Sequence, residues 1–120
     1  MHELSIAQSI YDIVAQHVPP EQRRAVKSVR LLVGELAGVV PESLSFCFGA
    51  ITSGTPLERA ELTITPVPLK AACRECRRKF VVAELRFQCP ECGKTDVEVL
   101  SGKELQVTEI ELIDEFAESR

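Results

Sequence analysis

Four cysteines dominate the chemistry this sequence can offer. Cys73-Arg-Glu-Cys76 and Cys89-Pro-Glu-Cys92 are two Cys-x-x-Cys turns with 12 residues between them. Two intervening residues let a tight turn aim both sulfurs at one point. Two such turns complete a tetrahedron of thiolates about 2.3 Å from a Zn(II) ion. A closed four-thiolate shell leaves no position for a water, so the expected role is structural and not hydrolytic. Gly93 follows the second pair, where a positive φ would help the turn. Phe80, Val82 and Leu85 lie between the pairs and are expected to form a small hydrophobic floor. That floor is too small to fold roughly 30 residues alone; zinc binding, worth an apparent ~10–16 kcal/mol, can do so. A thioredoxin-like redox role fits poorly, because it needs a single pair opening a helix after a buried strand.

Met1-His2-Glu3 is the second place to look. Processing removes Met before small residues, and His2 is large, so Met1 is expected to stay. The terminal amine, the His2 backbone nitrogen and the His2 ring nitrogen can close adjacent chelate rings on one metal. Nitrogen-rich planar sites suit Ni(II) or Cu(II). By itself the pattern is weak.

The elements that must position these residues are legible from periodicity. Leu4, Ala7, Ile10, Val14 and Val18 recur at helical spacing over 4–18, and Pro19-Pro20 ends that helix. A polar connection, Glu21 to Lys27, leads to an apolar, β-branched run from Ser28 to Gly34, which predicts an interior strand. A second helix starts around Pro41-Glu42-Ser43 and buries Leu44, Cys47, Phe48 and Ile51, with Gly54 as its stop. Cys47, on that apolar face, reads as core packing. Residues 60–65 alternate like a half-buried strand, and Pro66 and Pro68 mark a boundary. From Lys70 to about Gly102 thiols and basic residues take over, which reads as an inserted module. Leu105 to Ile113 returns to strand, with a break in alternation at Thr108-Glu109 that suggests a bulge.

Composition sets the outer limits. A chain of 120 residues with 45% apolar content suits one compact unit or a small domain carrying an appendage. Net charge is -4, so any case for a polyanion partner must rest on a local patch. The first residues have no basic or apolar signal region, and no apolar run approaches the ~20 residues that cross a bilayer. Five thiols, an odd number, fit metal binding in a reducing compartment better than disulfides. A cytoplasmic protein is expected, with no membrane partner.

The start MHELSIAQSI, VGELAGVVPESLSFCF at 33–48, SGTPLERAEL at 53–62, the pair CREC and CPECG, and SGKELQVTEIEL at 101–112 resemble the HypA/HybF family of nickel metallochaperones. Their order and spacing extend the resemblance over essentially all 120 residues. It implies an α+β fold of two helices on a three-stranded mixed sheet, with a zinc ribbon inserted before the last strand. The implied boundaries are 1–68 plus 103–120 for a nickel-binding domain and 69–102 for the ribbon. It further implies Ni(II) as transferable cargo held at His2 and Glu3 with backbone nitrogens, and structural Zn(II) on Cys73, Cys76, Cys89 and Cys92. Some members add a carboxylate from the loop after the first strand. Here that loop reads Val39-Val40-Pro41-Glu42, with no Asp, and neither Glu35 nor Glu42 is assigned. The implied function is delivery of Ni(II) to the [NiFe]-hydrogenase large-subunit precursor, beside a separate maturation GTPase.

The main rival is a nucleic-acid-binding zinc ribbon. Lys70, Arg74, Arg77, Arg78, Lys79 and Arg86 face only Glu75 and Glu84 over that stretch. The plainer account is that these cations offset the negative charge of a zinc tetrathiolate. Aromatic residues for stacking are few, so nucleic acid is the less favoured partner. An enzyme is not expected. The sequence has no P-loop, Gly-x-Ser-x-Gly or Rossmann glycine pattern, and His17 near a helix end suits a dipole partner better than a base.

Overall fold

The structure, a computed structural model, describes residues 3–113. The element order is α1 (Glu3–His17), β1 (Val26–Gly34), α2 (Pro41–Thr52), β2 (Glu61–Val67), β3 (Lys70–Cys73), β4 (Lys79–Val81), β5 (Val97–Ser101) and β6 (Leu105–Leu112). The fold is α+β, with two three-stranded sheets ordered β2-β1-β6 and β4-β3-β5 among the described residues. Two compact units result. One takes in Val33–Gly38 and Pro66–Leu105, and the other takes the rest of the chain.

In the larger unit, α1 and α2 pack on each other. α1 buries Ala7, Ile10 and Val14, and Val18 just beyond it is buried too. Leu4 departs from the expected stripe. It is 58% exposed, because it sits in the first turn beyond the packed stretch. The polar connection after Pro19 forms a short 3-10 helix, Pro20–Ala25. It carries Arg23 to the end of α1, where the guanidinium donates to Ala15 O at 2.8 Å and Val18 O at 3.1 Å. A cation there satisfies carbonyls left open at a helix end and complements the dipole.

β1 is the central strand, as its apolar run predicts, and it buries Val26, Val29, Leu31 and Val33. α2 buries Leu44, Phe48 and Thr52, whose hydroxyl donates to Phe48 O at 2.9 Å. Cys47 is only half-buried. Pro66 does not end β2, which runs on to Val67. β2 is an edge strand, where a missing N–H costs no ladder bond. In β6 the half-buried residues Val107 and Ile110 stand three apart, so the alternation breaks at Thr108-Glu109.

In the smaller unit, β3 pairs antiparallel with both neighbours, setting Ala71 against Phe80 on one side and Val99 on the other. Leu69, Ala71 and Val82 form the buried core, with Phe80, Phe87, Val97 and Val99 packed against it. Leu85, expected in this floor, is 64% exposed and belongs to a turn of positive φ. Gly34 N–H donates to Glu104 O and Leu36 N–H to Gly102 O, both at 2.7 Å. A Cβ on Gly34 would run into the Gly102 carbonyl and come within 2.6 Å of Lys103 N.

Candidate metal centre

The two cysteine turns are built alike. Cys73 N–H donates to Arg78 O at 2.9 Å, and Cys89 N–H donates to Lys94 O at 2.9 Å. The return bonds match: Arg77 N–H to Cys73 O at 2.8 Å, and Gly93 N–H to Cys89 O at 2.9 Å. The residue after each second cysteine takes a left-handed conformation, Gly93 at φ 73 and Arg77 at φ 65. Sequence reasoning found Gly93 but missed Arg77, although the equivalent position in the repeated motif was the available signal. Two ion pairs cross between the turns at matching positions, Lys94 with Glu75 at 3.8 Å and Arg78 with Glu91 at 3.6 Å. Both are exposed, where such pairs contribute about 0–1 kcal/mol.

These turns bring Sγ of Cys73, Cys76, Cys89 and Cys92 within 4.8 Å of one another. Two close separations cross from one turn to the other, Cys76 to Cys89 at 3.5 Å and Cys73 to Cys92 at 3.6 Å. A tetrahedral ion with sulfur bonds near 2.3 Å requires edges of roughly 3.8 Å, so the four donors fit one ion. Cys73 and Cys89 are buried, while Cys76 and Cys92 are exposed residues, and all five cysteines of the chain are free thiols. The sequence-predicted set of four is therefore brought together in one place.

Metal-free, the four thiols are unequal. The Cys76 backbone N–H, helped by that of Glu75, holds the Cys73 pKa below the usual thiol value against the opposing effect of burial. The Cys92 and Glu91 N–H groups act likewise on Cys89 and lower it to about 7. For Cys76, the Arg78 N–H favours the thiolate, but the Cys89 sulfur and burial outweigh it and push the pKa up. For Cys92, the Lys94 N–H is outweighed by burial and the neighbouring sulfurs, which raise the pKa to about 12. The backbone thus readies two thiolates, and the crowding of like charges opposes the last. A bound cation removes that opposition.

His2 lies outside the described residues. Glu3 opens α1, and its carboxylate accepts the Val40 N–H at 3.3 Å. That contact joins the first turn of α1 to the loop ahead of α2, a link with no sequence signal. Glu42 stands in the first turn of α2, and Glu35 in the short 3-10 turn Glu35–Ala37. His17 sits in the last turn of α1, with Nδ1 at 2.8 Å from Ile13 O. Arg74 and Arg78 of the basic stretch are tied to Asp96 and Glu91, which weakens the case for a phosphate-binding face. No helix among the described residues is long and apolar enough to cross a membrane.

Two helices and a small sheet, joined to a four-thiol ribbon, define a small metal-binding protein. The family model described as hydrogenase/urease nickel incorporation, metallochaperone, hypA matches residues 1–112. The hydrogenase maturation factor HypA of Streptomyces avermitilis is 49% identical over 112 residues, covering 92% of this chain and 86% of that protein. That of Prosthecochloris aestuarii is 44% identical over 113 residues, covering 93% and 99%. Among solved structures, that of the Ni metallochaperone HypA from Helicobacter pylori superposes with a TM-score of 0.63 at 21% identity, covering 94% of this chain and 98% of that one. The chain belongs to the HypA family of nickel metallochaperones of hydrogenase maturation.

Proposed function

We propose that this chain carries Ni(II) at His2 and Glu3 and delivers it to a [NiFe]-hydrogenase large-subunit precursor, while Zn(II) stays on Cys73, Cys76, Cys89 and Cys92. The observation that carries this reading is the family match over residues 1–112, which takes in both the His2-Glu3 start and the two cysteine pairs. The nickel-binding part is 1–68 with 103–120, and the zinc-ribbon part is 69–102. A maturation GTPase is the working partner and supplies the nucleotide chemistry; the chain itself is not an enzyme. Free thiols held for a metal suit the reducing cytoplasm.

The two metals call for opposite properties. Four thiolates in a closed shell, ringed by backbone donors, hold an ion permanently, and tetrahedral sulfur suits Zn(II). A cargo ion needs a few accessible ligands that an acceptor can replace one at a time. The imidazole of His2 and the carboxylate of Glu3, on adjacent residues, meet that need.

The test is metal analysis of the purified protein after Ni(II) loading, beside His2→Ala. The expected result is one zinc per chain in both and nickel only in the parent. Because the His2 ring must lose its proton to ligate, nickel affinity should also fall at mildly acidic pH. Nickel retained by His2→Ala would overturn the assignment.

A further inference from the structure

Strand β4 is an open edge. The bonds Cys73 N–H to Arg78 O and Val82 N–H to Leu69 O bracket the β3–β4 ladder, in which Ala71 faces Phe80. Bonded and non-bonded pairs alternate in an antiparallel ladder. Cys73/Arg78, Ala71/Phe80 and Leu69/Val82 therefore bond inward. The N–H and C=O groups of Lys79 and Val81 point away from β3, and no strand among the described residues lies on that side.

Three further features converge there. Val81 is 59% exposed, and Lys70 stands opposite it in a non-bonded pair, where side chains come close. Glu84 and Leu85 are successive non-glycine residues of positive φ, 53 and 60, a conformation that persists only where its surroundings impose it. The turn they make leaves Leu85 in solvent. A cavity of about 250 Å³, lined by Phe80, Val81, Ala83, Arg86 and Pro90 among others, opens beside the strand. Around these apolar groups, Lys70, Lys79 and Arg86 have no ion pair among the described residues, whereas Arg74 and Arg78 do.

We propose that the β4 edge is a docking site for an extended, acidic segment of a partner protein. The segment adds a strand to Lys79 and Val81, rests apolar side chains on Val81 and Leu85, and sets carboxylates against Lys70, Lys79 and Arg86. Strand addition gives affinity through the main chain and selectivity through alternate side chains. The aliphatic centre favours a polypeptide over nucleic acid, since Phe80 packs against the ribbon core and bases need aromatic faces.

The test uses the whole, zinc-loaded protein and an acetylated peptide of alternating Glu and Val, followed by amide NMR. The amides of Lys79 and Val81 should shift and gain protection from exchange. Lys79→Glu should weaken the peptide about fivefold, given the small worth of exposed charge pairs, and accept a Lys-Val peptide instead. Leu85→Ser should weaken the acidic peptide with no change of charge. Unchanged zinc content and Cys73 and Cys89 amide signals establish that the variants are folded. Unmoved Lys79 and Val81 amides at millimolar peptide overturn the proposal. So does equal affinity in Lys79→Glu, or stronger, steeply salt-dependent shifts of the same amides by an oligouridylate.

Discussion

The Val40 backbone N–H donates to the Glu3 carboxylate at 3.3 Å, so the first turn of α1 holds the N-cap of α2. Val40 has no side chain to cap the helix, and Glu3 reaches across to meet the loop's donor. Two roles for Glu3 can therefore be separated. Glu3→Gln keeps an acceptor and should leave the urea midpoint near that of the parent. Glu3→Ala should lower stability by about 1 kcal/mol, the worth of one ordinary hydrogen bond. If Glu3 is also a nickel ligand, Glu3→Gln weakens Ni(II) binding at unchanged stability. Full nickel affinity in Glu3→Gln removes Glu3 from the ligand set.

In the folded ribbon the four thiols do not contribute alike to stability. Cys89, lowered to about 7, and Cys73, also lowered, favour the fold as thiolates. Their contribution is present above the unfolded thiol pKa and is lost as pH falls through about 7, the folded value for Cys89. Cys92 has the opposite sign. Raised to about 12, it favours the fold as a thiol and loses that contribution only as pH climbs towards 12. Zinc added at neutral pH should release protons, since the raised thiols must ionise to bind, and calorimetry in buffers of different ionisation enthalpy counts them. Zinc uptake without proton release contradicts this.

Much of this was legible in the chain, for identifiable reasons. The four cysteines announced their cluster because two turns of fixed spacing leave little freedom of placement. The helices and β1 were legible through periods of 3.6 and through an unbroken apolar run. What escaped depended on contacts distant in sequence. Nothing local to Leu85 says that it turns outward while Leu69 and Phe87 fill the ribbon's floor. Nothing near Arg23 says that it closes the end of α1. Pro66 does mark the boundary between the two units, which part between Thr65 and Pro66, although β2 runs on to Val67 as an edge strand.

Arg77 and Gly93 occupy equivalent places at φ 65 and 73, yet only one is glycine. A residue with a Cβ is disfavoured in this region by roughly 1–2 kcal/mol. Glycine gives back part of that through its freer unfolded state. Arg77→Gly should therefore make the ribbon slightly more resistant to zinc chelators, by no more than about 1 kcal/mol. Gly93→Ala should shift resistance the other way by a similar amount. Chelator competition followed by a zinc-sensitive dye measures both, and an effect of Gly93→Ala smaller than that of a surface substitution such as Glu98→Ala counts against the backbone argument.

Gly34 presents a different constraint, one of space and not of φ. The Gly102 carbonyl lies where a Cβ would go, and Lys103 N is 2.6 Å from the same point. Both obstacles are backbone, held by the 2.7 Å bonds from Gly34 N–H and Leu36 N–H. Neither can rotate aside as a side chain would. Gly34→Ala should cost roughly 2–4 kcal/mol, in the range of strained or overpacked sites. Gly49→Ala is the control, since a Cβ there meets nothing within 4 Å and a helix interior prefers alanine. Thermal melts should move in opposite directions for the two variants, and a neutral Gly34→Ala would show that these segments part easily.

Removing the ribbon's metal should unfold one unit and spare the other. The ribbon core has only Leu69, Ala71 and Val82 buried, with four partly covered neighbours. Full burial of an aliphatic side chain contributes about 1.5–3 kcal/mol, whereas ordering each residue costs on the order of 1–2 kcal/mol. The three-strand sheet β4-β3-β5 should therefore depend on the ion proposed to tie its two turns together. The other unit buries Ile10, Val14, Val29, Leu31, Leu44 and Phe48 of its own. Cys76→Ser, or a chelator at pH 7, should erase the amide signals of Ala71, Phe80 and Val99 while those of Val14 and Phe48 persist. Substitution at Cys76 is the sharper route, because Cys76 is exposed and lies outside the small apolar core. Loss of both sets of signals together would mean that the units fold as one, and survival of the ribbon signals would mean that its apolar contacts suffice.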